Sequence, residues 1–255
     1  MTRHPAFAVT SHLLTSYRHT WLDSVFNSFF LPLCLLVGVG WSVGQHVEDS
    51  AGLGTSYFAF VGAGLLAATV TQIAAAESAW AVFGGFEWSR IYHAMRLTPA
   101  RPADIMTGHL MSIMARAILG GIGFLLLLPV FGIAESWTTL AVIPLLPLIA
   151  LAAAAPVMGF SASISNAGMF DVLFRLGILP MSLFSGVYFP LTTLPDALHA
   201  AALALPLTHA VALTRMLVLD SFDTGSALLH ITCLTAWALA GLLFARRAFD
   251  RRLAD

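Results

Sequence analysis

The chain has 255 residues, of which 58% are hydrophobic and 10% charged, with a formal net charge of −1. Soluble domains carry about 25% charged residues, and a core of this length cannot hide the excess apolar surface, so lipid is the indicated solvent. Every one of the 12 Lys+Arg residues is Arg, which excludes a Walker A loop and a Schiff-base lysine, because both chemistries need a lysine amine.

The N-terminal stretch has no apolar core before a small-residue cleavage site, so no signal peptide is expected. Within His12–Ser24, Leu14, Tyr17 and Trp21 recur at helical spacing around Arg18, His19 and Asp23. That pattern predicts an amphipathic helix lying in the membrane interface. A first transmembrane helix follows over Val25–Val43 and a second over Tyr57–Val82, each long enough for the hydrocarbon layer. The loop Phe86–Thr107 is too polar to span. Glu87–Met95 is expected to form a short helix, ended by Pro99 and Pro102.

The third span is expected at Ile105–Phe131, the fourth at Leu140–Ser163 and the fifth at Val172–Phe189. Pro190–Asp220 is strongly apolar but broken by Pro195 and Pro206. Asp196–Leu205 is half a bilayer long as a helix, and Thr208–Leu219 is similarly short, which predicts a re-entrant helical hairpin. The sixth span is expected at Ala227–Ala245. The fold class is therefore all-α membrane protein, a single domain over 1–255. Residues 1–24 form its interfacial segment, 25–245 the six-helix part and 246–255 the tail.

Arginine placement sets the orientation. Arg3, Arg18, Arg90, Arg96, Arg101, Arg175, Arg246, Arg247, Arg251 and Arg252 all fall on one side of this six-helix frame. That side is the cytoplasm, so both termini are expected inside. Arg215 falls on the opposite side and Arg116 inside the third helix. Glu77 and Arg116 are embedded in apolar helices, each nine residues from the inner boundary, at roughly 13 Å depth. An isolated charge there is costly, so the two are expected to pair.

No HExxH, no GxSxG and no paired Cys/His ligands occur. No catalytic residue and no metal site are assigned. Cys34 and Cys233 read as small buried hydrophobes. The nine histidines are scattered, and His46, His199, His209 and His230 are the only set that could gather on the external side.

Three blocks in order resemble the membrane subunit of type-2 ABC exporters, the group that includes the nodulation lipo-oligosaccharide and daunorubicin exporter permeases. The first block is Tyr17, Trp21, Pro32, Gly38, Gly40 and Gly44. The second is Phe86, Glu87, Thr98, Pro99, Asp104 and Gly108. The third is SGVYFPLTTLPDALHAAALALPLTHAVALTR, carried by Ser185, Gly186, Phe189, Pro190, Leu194, Pro195, Pro206, Leu207, His209 and Arg215. The resemblance covers essentially the whole chain.

The resemblance implies a permease that exports a lipid, drug or lipid-linked glycan across the plasma (cell inner) membrane. A second copy, or a related permease, would complete the pathway. Two cytoplasmic ATPase subunits would bind ATP and Mg, and this chain would hold no cofactor. Membrane lipids are the remaining expected partners, and no nucleic acid is expected. Coupling to the ATPase would pass through Glu87, Arg90, Ile91, Met95, Arg96 and Pro99. Pro190, Pro195, Pro206, His209 and Arg215 would shape the exit. The alternatives are a stand-alone secondary transporter, or a membrane protein of assembly or lipid processing that transports nothing.

Overall fold

The computed structural model describes residues 5–17, 30, 32–41, 55–133 and 136–254, and among them every regular element is helical. Helix α1 is Pro5–Tyr17, so the predicted interfacial helix begins earlier than His12, and its remainder lies outside the described residues. Ala6, Val9 and Thr10 are its buried face. Thr10 Oγ1 lies 3.0 Å from the Gly108 carbonyl oxygen. A Cβ at Gly108 would sit 2.7 Å from the Ala6 oxygen, so only glycine admits this approach. The first predicted span, Val25–Val43, is described at residues 30 and 32–41, and its two ends lie outside the described residues. Within it residues 32–41 are helical and close in a π turn, Leu36–Trp41.

Helix α2, Tyr57–Glu87, starts where the Ser56 side chain accepts the Ala59 N–H at 3.2 Å, satisfying one of the orphan donors of a first turn. A short helix α3, Ile91–Arg96, follows. Helix α4, Pro102–Leu127, begins on a proline whose missing N–H costs nothing there. The Asp104 carboxylate accepts the Arg101 N–H at 3.0 Å. A 3₁₀ turn, Leu128–Phe131, ends it. A second 3₁₀ segment, Trp137–Leu145, leads into α5, Leu146–Ser163.

Residues 169–184 form one helical run, α6, in which a π segment, Leu173–Ile178, interrupts the α geometry. It starts with Phe170 against Trp80 and Phe83 of α2. The residues just after it reach Phe60 and Gly64, where Arg215 bonds the Gly186 oxygen and Val187 crosses Gly64. Its 16 residues make about 24 Å of helix, somewhat less than a hydrocarbon thickness. Helices α7, Asp196–Leu203, and α8, Pro206–Val218, meet at 83°. The break is local, because Pro206 has no N–H to continue α7. Helix α9, Thr224–Arg252, is capped by Asp223, whose carboxylate accepts the Ser226 N–H at 2.8 Å.

Four of these runs are long and apolar enough to cross a membrane: Tyr57–Glu87, Pro102–Phe131, Trp137–Ser163 and Thr224–Arg252. A fifth is reached if α7 and α8 are counted as one bent span. All four extend past the predicted apolar limits on at least one side, since hydropathy marks the lipid layer whereas the helix continues to its cap. Helix α2 lies at the centre, against α4, α5 and α8, and 78% of its most apolar window is buried. For α9 the figure is 22%, and Leu228, Leu229, Leu239 and Leu243 point outward. Such a face suits lipid. Its other face meets α5 through small residues: a Cβ at Gly241 would lie 2.6 Å from the Pro156 nitrogen. Close backbone approach of this kind drives helix association where no hydrophobic effect operates.

Candidate functional site

At the Glu87 end of the bundle, α2 turns sharply into α3. Trp88 and Ser89 both return their N–H groups to the Gly84 oxygen, and Arg90 adopts φ 51, a left-handed conformation uncommon outside glycine. This turn is why α3 begins at Ile91 and not at Glu87 as predicted. Tyr92 then points inward and is fully buried. Its ring meets Phe86 of α2 at 4.6 Å and Phe249 of α9 at 5.6 Å between centroids. Its Oη is hydrogen-bonded to His109 Nδ1 of α4. Burial raises the Tyr92 phenol well above the ordinary tyrosine range, which keeps it neutral. One side chain thus ties the short helix to three long ones.

Arg252 closes the same end. Its Nη1 donates to the carbonyl oxygens of Ser161, Ala162 and Ile164 at 3.3, 3.0 and 2.7 Å. Its Nη2 donates to the Glu87 carboxylate, and its guanidinium lies 4.5 Å over the Phe86 ring. These carbonyls are the orphan acceptors at the end of α5, where a cation also complements the helix dipole.

The six residues expected to meet an ATPase divide accordingly. Glu87 is engaged by Arg252. Ile91 and Met95 pack half-buried against the chain's own core. Arg90, Arg96 and Pro99 are exposed, although Arg96 Nη1 reaches back to the Ala100 oxygen at 3.3 Å. The outward surface carries in addition Trp88 and Leu97, 66% and 91% exposed. Sequence reasoning missed Tyr92, His109 and Arg252 as positioning residues. The available signals were an aromatic inside a polar loop and a histidine inside an apolar run.

Between the two ends, Arg116 Nη1 of α4 donates to Glu77 Oε2 of α2 at 2.7 Å, with both side chains mostly buried.

At the Tyr57 end, Arg215 of α8 donates to the Gly186 oxygen at 2.8 Å and the Phe60 oxygen at 3.3 Å. Its guanidinium lies 3.5 Å over the Phe60 ring, within the range of a cation–π contact. Thr214 Oγ1 donates to the Ala63 oxygen, and Tyr57 Oη to the Tyr188 oxygen. The prolines set the path: Pro190 opens a 3₁₀ turn, Pro195 precedes α7 and Pro206 starts α8. His209 Nε2 bonds the Leu203 oxygen at 3.0 Å, and its Nδ1 lies 2.8 Å from His230 Nδ1 of α9. Trp237 Nε1 of α9 donates to the Ala204 oxygen. The bent pair is thus fastened to α2 and α9. His46 lies outside the described residues, and among those described no three His, Cys, Asp or Glu side chains come together as a metal site.

Comparison with known proteins finds one family along most of the chain. The family model for ABC-2 type transporters matches residues 7–219. Nodulation protein J of Rhizobium leguminosarum bv. viciae is 29% identical over 238 residues, covering 93% of this chain and 91% of the relative. Nodulation protein J of R. leguminosarum bv. trifolii is 31% identical over 204 residues, 80% of this chain and 77% of the relative. That of Rhizobium meliloti is 29% identical over 240 residues. The match runs from within α1 through the Tyr92-anchored turn to the end of the bent pair, and the chain belongs to the ABC-2 type transporter family.

Proposed function

We propose that the chain is the permease subunit of an ATP-driven exporter in the cell inner membrane, with six spans and both termini in the cytoplasm. The fifth span is 169–184 and the first lies over 25–43. Two copies, or this chain and a related permease, form the pathway. Two cytoplasmic ATPase subunits bind ATP and Mg and drive it. The cargo is a lipid, a drug or a lipid-linked glycan, and α7–α8 is a re-entrant hairpin that shapes the exit.

The observation that carries this reading is the Tyr92 anchor. A short helix outside the spans is fixed to α2, α4 and α9 through one buried ring. A push on its exposed side therefore reaches three membrane helices together. Trp88 and Leu97 supply the apolar contacts of that side, and Arg90 and Arg96 the polar ones.

The test is co-expression with the partner ATPase. Replacing Trp88→Ala together with Leu97→Asp leaves the Tyr92 anchor intact. It should leave the permease folded, cut copurification of the ATPase at least tenfold and abolish ATP-dependent export. Unchanged copurification with unchanged export would overturn the docking assignment. Export that persists without ATP but follows an ion gradient would favour a secondary transporter instead.

A further inference from the structure

A cavity of about 530 Å³ opens between the Glu87-side ends of α5 and α9. Arg247, Arg251, Arg252 and Ser165 are its polar lining, and Phe244 and Ile164 its apolar lining. The three arginines are not equivalent. Arg252 is consumed by Glu87 and by the end carbonyls of α5. By covering those carbonyls it masks the negative end of the α5 dipole, which would otherwise repel an anion. Arg247 and Arg251 are four residues apart on one face of α9 and both exposed. Among the described residues the ion pairs engage neither, and the nearby Asp250 is taken by Arg246 at 3.8 Å. Two guanidiniums without an ion-pair partner among the described residues therefore stand at an apolar-walled cleft.

The cleft sits just past the apolar stretch Ala227–Ala245 of α9, the level at which hydropathy puts headgroups. Phe244 is three residues before Arg247, one turn deeper, and packs over Gly159 of α5. Beyond it runs the outward apolar face of α9, with Leu243 and Leu239. Arg247 and Arg251 also lie about 160° around α9 from Phe249, the residue that meets Tyr92. Arg247 and Arg251 are thus on the outward face of α9, in line with Leu243 and Leu239 and turned away from α3.

We propose that this cleft binds an anionic phospholipid, with the headgroup phosphate between Arg247 and Arg251 and an acyl chain along the α5–α9 seam past Phe244. Guanidinium suits phosphate because its planar donors match two oxygens at once. The inference needs only a bundle in a bilayer and does not rest on the exporter reading.

Native mass spectrometry of the purified full-length protein tests it, with phosphatidylglycerol and phosphatidylcholine offered in equal amounts. The unmodified protein should retain phosphatidylglycerol preferentially. One arginine near an anionic headgroup is worth about fivefold in binding. R247Q and R251Q should therefore each weaken retention about fivefold, and the double variant about 25-fold, with melting in lipid-free detergent unchanged. R246Q, on the neighbouring face, should stay within twofold. Equal retention of the two lipids, or an equal loss in R246Q, would overturn the proposal. So would stabilisation by inorganic phosphate as strong as by the lipid, which would assign the cleft to a free anion. Loss of ATPase copurification in the double variant with lipid retention unchanged would assign it to the soluble partner.

Discussion

The two ends of α2 are held by the same device with different electrostatics. At one end Arg252 lies over Phe86 and fans onto three carbonyls, and at the other Arg215 lies over Phe60 and fans onto two. Each arginine comes from a helix remote in sequence and fastens it to α2. The difference is the counter-charge. Arg252 has Glu87, whereas among the described residues no carboxylate pairs with Arg215. Carbonyl dipoles and a ring face hold Arg215 without neutralising it. A clamp with a carboxylate fails badly when either partner is lost, because the survivor is a stranded charge. A clamp made of dipoles loses only its hydrogen bonds.

The Glu77–Arg116 pair sets the upper limit of that comparison, since it is a charge pair with the least access to water. Glu77→Gln or Arg116→Gln alone should cost about 3 kcal/mol, the scale for a lone charge in a membrane helix. The double variant should recover at least 1 kcal/mol relative to the sum. Thermal unfolding in a single detergent measures all four proteins, and strict additivity would mean that the pairing carries no energy.

The next effect is at the Glu87 end. Arg252→Gln should cost about 2 kcal/mol, less than the first case because Glu87 is one-third exposed. Adding Glu87→Gln should restore part of the loss. Failure of that second change to help would show that the carbonyl contacts, and not the carboxylate, hold this end.

The smallest effect is expected at Arg215. Arg215→Gln should cost about 1 kcal/mol, the scale of ordinary hydrogen bonds, since no charge is stranded and an amide still donates. Its stability should be insensitive to neutralising any single carboxylate. A loss as large as that of Arg252→Gln would break the comparison and point to an acid outside the described residues.

How much of this was legible in the sequence depends on whether the cause is local. Four spans, the break at Pro206 and the caps at Ser56 and Asp223 follow from runs and neighbours along the chain, so hydropathy and helix-end chemistry found the spans and the break. The shared depth of Glu77 and Arg116 is also a count along two helices, although depth alone does not say which faces meet. The turn at Arg90 is not legible, because nothing in the local sequence demands a left-handed arginine, and the local pattern therefore starts α3 at Glu87. The re-aiming of Ile91 and Met95 toward the core follows from that turn.

The sequence by itself determined that this is a membrane-embedded helical protein with two buried charges of opposite sign. It also determined where its apolar segments break, because lipid solvation, proline and helix caps act within a few residues. Only the tertiary structure decided that Arg252 belongs to Glu87, 165 residues away, that Tyr92 belongs to Phe249 and His109, and that Arg215 belongs to Phe60. A helix presents several faces of nearly equal hydropathy, and the choice among them is made by close packing with neighbours that the local pattern does not encode.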